Sequence, residues 1–338
     1  QAVDALHMDA ARAVAFDLRP HGDQHLGQVG DFGLLGGVLQ QGLALGQGRG
    51  HGIGHRPLSD HLWLDLVDGG REGFAGLVAW EGDHDHPVAY AQISKGHDSF
   101  SIELVVHPHH RYEMHLIGPE LLTAALHEVA INGGGHVHWW VFEPTIGHEQ
   151  VATQVGLTPG RRLHQMRRSL PLSSSDAEAQ VAVRTFVKGQ DEEAWLTVNN
   201  RAFEHHPEQG GWDHATMSAR LAQPWFDENG FVLHEIDNQL AGFCWTKVHH
   251  DTDPVLGEIY VIAVDPKFHG HGLGKSMVVS GLVNMSQRGI KTAMLYVDPD
   301  NSAAMALYGG LGFRVHRTDR AFVGDIAPIT STSESEQS

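Results

Sequence analysis

Gly270, Gly272 and Gly274 alternate shortly after the apolar run 259–264 and the turn Asp265-Pro266. A helix-like stretch from 275 to about 287 follows. A strand that runs through a glycine loop into a helix can bind phosphate. Glycine lets the backbone come close, and the first helical N–H groups have no intrahelical acceptor. The spacing here is Gly-x-Gly-x-Gly, residues intervene between strand and loop, and the next strand, 293–297, offers no ribose-binding acid at its end. The dinucleotide fingerprint is therefore not met. Gly274-Lys275-Ser276 imitates the end of a P-loop, but the gap back to Gly270 is too short and contains Gly272.

The elements that must position this loop come from a chain of 338 residues, long enough for two domains. No apolar run reaches membrane-spanning length, and the first residues carry no basic-then-apolar signal pattern. The single cysteine, Cys244, excludes an internal disulfide framework and suits a reducing cytoplasm, where the protein is expected. A net charge of −18 argues against nucleic acid and membrane partners. Any bound phosphates must then be held by local amides and a few cations. The 27 histidines fall as scattered pairs and not at metal-ligand spacing, so no metal is expected.

Residues 1–54 are rich in Gly, Gln, Leu and His with weak periodicity, and read as a poorly ordered extension. A first domain is expected over 55–170. It opens on a helix capped by Ser59 or Asp60 and continues with strands at 74–80, 87–94 and 100–106. A helix at 121–131, a strand at 136–142, a helix at 149–155 and a strand at 163–170 complete it. A small, polar linker led by Pro171 spans 171–180. The second domain, 181–324, opens on a strand at 181–186 and a helix at 191–200 capped by Asp191. An irregular stretch at 203–212 and paired strands at 231–235 and 239–249 come next. A polar tail, 325–338, is expected to be disordered. The order repeats. Val261-Ile262-Ala263-Val264-Asp265-Pro266 matches Glu103-Leu104-Val105-Val106-His107-Pro108, and Leu311-Gly312-Phe313 matches Val155-Gly156-Leu157, at a nearly constant offset. Two copies of one α/β (α+β) fold in tandem are predicted.

The stretch from Gly257 to Phe313 resembles the acetyl-CoA-binding core of the GNAT N-acetyltransferases. The family loop, Gln/Arg-x-x-Gly-x-Gly/Ala, stands here as His269-Gly270-His271-Gly272-Leu273-Gly274, with His for Gln/Arg. The Asn-x-x-Ala helix stands as Asn301-Ser302-Ala303-Ala304-Met305-Ala306-Leu307-Tyr308, followed by Leu311-Gly312-Phe313. Within that family the second half resembles the mycothiol synthases, which are tandem GNAT enzymes with an active C-terminal half. The residues carrying this are His206-Pro207-Glu208-Gln209-Gly210-Gly211-Trp212, Pro224-Trp225-Phe226-Asp227, Gly242-Phe243-Cys244-Trp245-Thr246-Lys247-Val248-His249 and Gly257-Glu258-Ile259-Tyr260-Val261. The resemblance covers about 57–322, is strong from 181 onward and is absent from 1–50.

The resemblance implies two tandem GNAT folds, each a mixed, mostly antiparallel sheet flanked by helices. It implies transfer of acetyl from acetyl-CoA, as co-substrate, to the cysteinyl amine of cysteinyl-glucosaminyl-inositol, the last step of mycothiol synthesis; a monomer is expected. Glu258 falls at the general base and Tyr308 at the general acid. Asp60, Glu208, Lys247, Glu258 and Tyr296 fall at acceptor contacts. Ile262, Ala263, Val264, His269, Gly270, His271, Gly272, Leu273, Gly274, Lys275, Asn301, Ser302, Ala303, Ala304, Met305 and Ala306 fall at acetyl-CoA contacts.

Pattern alone reads these residues differently. Glu258 is then a strand-end acid, Tyr308 a core tyrosine beside Ala304, Leu307 and Leu311, and Tyr296 a core strand residue. Lys247, alternating with Trp245 and His249, is then on a solvated strand face, and Glu208 is a solvated loop acid. Other readings are a GNAT enzyme for another amine, such as an aminoglycoside or a protein N-terminus, and a non-catalytic acyl-CoA-binding protein. Cys244 lies outside the transfer motifs, so direct transfer without an acyl-enzyme is expected. In the first half the loop after Pro108 lacks the glycines, and counting back from the proline matches Glu258 with Phe100. That half is expected to be catalytically silent.

Overall fold

A computed structural model of the chain describes residues 12–17, 27–28, 73–80, 87–96, 99–204 and 210–329. Two compact units emerge, one of 1–162 with 318–338 and one of 163–317.

The first unit contains β1 (Arg12–Asp17), β2 (Gly27–Gln28), β3 (Ala75–Trp80), β4 (Ala89–Lys95), β5 (Ser99–Val106) and β6 (Gly135–Val141). Its sheet runs β2-β1-β3-β4-β5-β6 and is completed by 320–326, the end of the chain's last strand, which pairs antiparallel with β6. Pairing is parallel for β1/β3 and β5/β6 and antiparallel elsewhere. Strand alternation explains the core. Ala89, Ala91 and Ile93 of β4 join Phe100, Ile102 and Val106 of β5 beneath the helices α1 (Met114–Ile131) and α2 (Ile146–Gln154). Tyr90, Gln92 and Ser94 take the other face, buried and hydrogen-bonded in sequence at 3.0 and 3.3 Å.

The second unit takes 164–169 of β7 (Thr158–Ser169) as its first strand. Then come α3 (Ser174–Ala177), β8 (Arg184–Thr185), α4 (Glu192–Ala202), α5 (His214–Leu221), β9 (Phe231–Ile236), β10 (Gln239–His249) and β11 (Leu256–Val264). The helix α6 (Leu273–Gln287), β12 (Thr292–Val297) and α7 (Ser302–Gly310) follow, and the last strand is β13 (Arg314–Ile326). The sheet order is β7-β12-β11-β10-β9-β8, parallel only at β11/β12. Each face carries its own core. Cys244, Ile259, Met277, Leu282 and Leu295 pack on the α6 side. Trp195, Phe231, Phe243, Trp245 and Val261 pack on the α4 side.

Local expectations shift where a partner competes. The strand expected over 181–186 shortens to Arg184–Thr185, and the Arg184 guanidinium turns to Asp191 at 2.7 Å and to Glu235. Asp191 does occupy the N-cap position of α4, but its carboxylate makes no cap bond. It accepts from Arg184 and from the Val187 N–H, and the Arg184 bonds hold its pKa below the usual carboxylate range. The helix expected from 121 starts at Met114, where Ile117 is already buried. Short α5, not expected from its polar sequence, is capped by Asp213, which accepts from Thr216 N–H at 2.7 Å, and buries Met217 and Leu221 one turn apart. Of the expected extension, only β1 and β2 lie within the described residues, as paired strands. The helix start at Ser59 or Asp60 and most of the expected tail lie outside them.

One irregularity positions the site. Between β10 and β11 the register steps from Trp245↔Val261 to Thr246↔Ile259, so Tyr260 is an extra residue. Tyr260 and Val261 consequently both belong to the aromatic face. The matching pair in the first unit has no step, with Gln92↔Glu103, Ile93↔Ile102 and Ser94↔Ser101. The counterpart of Glu258 is therefore Ser101, and that of Lys247 is Ser94. Matching by counting to Phe100 is corrected by the bulge, since Phe100 points into the helix-side core.

Gly281 of α6 faces Cys244, and a Cβ there would overlap the buried sulfur. Gly281→Ala should lower stability by about 1–3 kcal/mol, read as a lower denaturant midpoint at unchanged slope. Adding Cys244→Ala should recover part of the loss, and no recovery would refute the clash.

Candidate active site

β11 and β12 are paired at Leu256↔Thr292, Gly257↔Ala293 and Glu258↔Met294, and there the ladder stops. β11 continues to Val264 and β12 to Val297. The strands part, and the β12-facing edge of 259–264 has no ladder. Strand backbone groups must bond to something, and an amide-bearing extended ligand can supply the partners.

The end of this edge leads into the glycine turn. Asp265 accepts from the Lys267 N–H at 3.0 Å and pairs with Arg201 at 2.5 Å. His269 Nε2 donates to the Val264 carbonyl at 3.0 Å. Gly270 and Gly272 have φ of +89° and +73°, the left-handed region where other residues are strained. A Cβ at Gly270, Gly272 or Gly274 would meet nothing within 4 Å, so the space over the turn is open. Gly272 is the N-cap of α6, whose first turn carries no acid. The amides of 273–275 and the positive dipole end thus face that space without a competing carboxylate. Expected contacts Ile262, Ala263, Val264, His269, Gly270, His271, Gly272, Leu273, Gly274 and Lys275 form this one continuous edge and turn.

On α7, Asn301 is engaged as the N-cap, accepting from the Ala304 N–H at 3.0 Å. Ser302, Ala303 and Ala306 are exposed, while Ala304 and Met305 pack on the α6-side core. Tyr308 packs there too, half-buried, with its ring 5.9 Å from Phe313. Burial, with a smaller contribution from the nearby Cys244, pushes its phenol up to about 12. It keeps its proton throughout the neutral range.

The opposite face is aromatic. Trp245 stacks on Phe231 at 4.5 Å, and Trp225 meets Tyr260 edge-on at 5.0 Å. The buried Lys247 holds Nζ 4.8 Å from the Trp225 ring centre and 6.0 Å from that of Tyr260. Glu258 stands in register across from Lys247, and His249 Nε2 bonds to its Oε2 at 2.7 Å. On β12 the Tyr296 hydroxyl accepts from Gln165 and Arg317, each at 2.9 Å. Lys247 and Glu258 thus share one face, and Tyr308 packs with the core of the other. Asp60 and Glu208 lie outside the described residues.

Trp225, Tyr260, His249, Gln165 and Arg317 are not among the site residues expected from the sequence. The alternation of Trp245, Lys247 and His249 was a usable signal for a shared face, but the His249–Glu258 bond also needs the cross-strand register. Among the described residues no His/Cys/Asp/Glu group is arranged to hold a metal, and no helix is long and apolar enough to cross a membrane.

Residues 194–313 match the acetyltransferase (GNAT) family model. A mycothiol acetyltransferase of Thermobispora bispora is 41% identical over 276 residues, covering 80% of this chain and 90% of its own. One of Streptomyces coelicolor is 42% identical over 274 residues, covering 79% and 85%. The chain belongs to the mycothiol acetyltransferase family. Its fold is also similar to that of a tandem GNAT protein from the clavulanic acid biosynthesis pathway, with a TM-score of 0.61 at 17% identity, over 87% of this chain and 96% of that one. The family's GNAT match spans the parted strands, the glycine turn and Tyr308, all within the second unit.

The raised Tyr308 pKa makes a spectroscopic prediction. Tyrosinate absorbance titrated between pH 8 and 10.5 should be the same in Tyr308→Phe as in the parent chain. A loss of amplitude centred near pH 10 would show an ordinary, solvated phenol instead. Because the folded pKa lies above the unfolded one, the phenol's contribution to stability is complete below about pH 10 and lost as pH rises toward about 12.

Proposed function

We propose that the chain transfers acetyl from acetyl-CoA to the cysteinyl amine of cysteinyl-glucosaminyl-inositol, acting as a cytoplasmic monomer in mycothiol biosynthesis. The observation that carries this is the position of Glu258, a carboxylate on the last residue pair before β11 and β12 part. The pantetheine arm lies along the open edge of 262–264 and exchanges amide bonds with it. The pyrophosphate sits on the amides of 270–275, with Lys275 as a nearby cation. The thioester then lies in the gap beside Glu258.

An ammonium cannot attack a thioester, so its proton must leave first. Glu258 takes that proton, directly or through one water. The free amine attacks the acetyl carbonyl, and a backbone N–H near Val264 stabilises the developing oxyanion. The C–S bond breaks, Tyr308 gives its proton to the departing thiolate, and the second proton that the nitrogen loses on becoming an amide restores the phenol. Transfer is direct. Cys244 is buried, and burial pushes its thiol up to about 12, which suppresses the thiolate a nucleophile requires. Lys247, held over Trp225, and Tyr296 donate to sugar or inositol hydroxyls, and Asp60 and Glu208 attract the cationic acceptor. Ser101 in the first unit supplies no carboxylate, which supports a silent first half.

The test measures CoA release with the thiol-blocked cysteinyl compound, glucosaminyl-inositol and an aminoglycoside in parallel. Turnover should occur with the cysteinyl compound alone. Glu258→Gln should lower kcat roughly 100- to 10,000-fold with little change in acetyl-CoA binding. Turnover with the aminoglycoside instead would replace the acceptor, and full activity in Glu258→Gln would remove the base.

A further inference from the structure

The carboxylate proposed as the base, Glu258, has a hydrogen-bond partner in His249. His249, near the end of β10, and Glu258 of β11 sit diagonally across one antiparallel pair, on the face that also carries Lys247. Their side chains are 15% and 13% exposed, and His249 Nε2 lies 2.7 Å from Glu258 Oε2. An ionised carboxylate only accepts hydrogen bonds, so His249 is the donor. Among the described residues no hydrogen bond reaches Glu258 Oε1.

A glutamate side chain has three rotatable bonds, and a base must hold one oxygen at the proton it removes. We infer that His249 is a positioning residue for transfer, clamping Oε2 so that Oε1 is aimed at the acceptor amine. Glu258 shares the face of Lys247 and His249 because it is the direct cross-strand partner of Lys247, and in the first unit the places of Glu258 and Lys247 are taken by Ser101 and Ser94. His249 acts through Glu258 and touches neither acetyl nor amine.

The inference rests on Glu258 being the base, so the test has one arm that needs turnover and one that does not. In the first, His249→Ala should lower kcat roughly 10- to 100-fold at unchanged acetyl-CoA KM. His249→Gln, whose amide N–H can stand near the place of Nε2–H, should recover most of the loss. Thermal unfolding and acetyl-CoA binding of both variants give the folding control. In the second arm, a downfield ring N–H proton resonance should be present in the parent chain. It should be absent from His249→Gln and from Glu258→Leu. Full kcat in His249→Ala, or equal impairment of folded Ala and Gln variants, would overturn the positioning role, and so would the missing resonance. A parent chain that shows the resonance but acetylates no acceptor would leave the clamp standing and sink the acceptor assignment.

Discussion

A strand that loses its neighbour in mid-sheet leaves backbone donors and acceptors that water or a ligand must satisfy. That constraint shapes the second unit. β11 stays paired to β10 along its length but leaves β12 after Glu258, so the open edge starts at the carboxylate and ends at the glycine turn. A thioester with amides along its arm and phosphates at its end has a matching order of groups. The chain's net charge of −18 makes this local arrangement necessary, since no general positive field attracts a polyanion.

The two units show what the site requires beyond the fold. In the first unit β5 and β6 also stop pairing, after Ile102↔Trp139, while β5 continues to Val106. The segment beyond β5 differs from the one beyond β11. The turn from Pro108 to Glu113 carries no left-handed glycine, His110 is buried against Glu113 at 2.8 Å, and α1 starts at Met114. The face that is aromatic in the second unit carries Tyr90, Gln92, Ser94, Ser101 and Glu103 in the first. The parted strands persist, while the bulge and the glycine turn do not; Ser101 stands in the place of Glu258, and the carboxylate nearest the parting, Glu103, is buried across from Gln92.

Features governed by neighbours in sequence were legible before the structure. The apolar run of β11, the glycine-spaced turn and the helix after it, expected from 275 and starting at Leu273, are local signals. The Asn-x-x-Ala motif is another, and the structure adds that Asn301 caps α7 by accepting from the Ala304 N–H. Features governed by pairing were not legible. The extra residue at Tyr260 moved the counterpart of Glu258 from Phe100 to Ser101, which no count along the chain reveals. The Asp191 cap failed because Arg184, folding back from β8, offered two charge-assisted bonds against one weak backbone bond. The same limit hid the pairing of 320–326 with β6 and the bond between His249 and Glu258.

If the open β11 edge and the glycine turn form one seat for acetyl-CoA, binding must protect both together. Amide hydrogen exchange of the full chain, with and without saturating acetyl-CoA, tests this directly. The predicted result is slowed exchange concentrated in 259–264 and 270–275. Unchanged exchange in both segments while acetyl-CoA is bound would contradict the single seat.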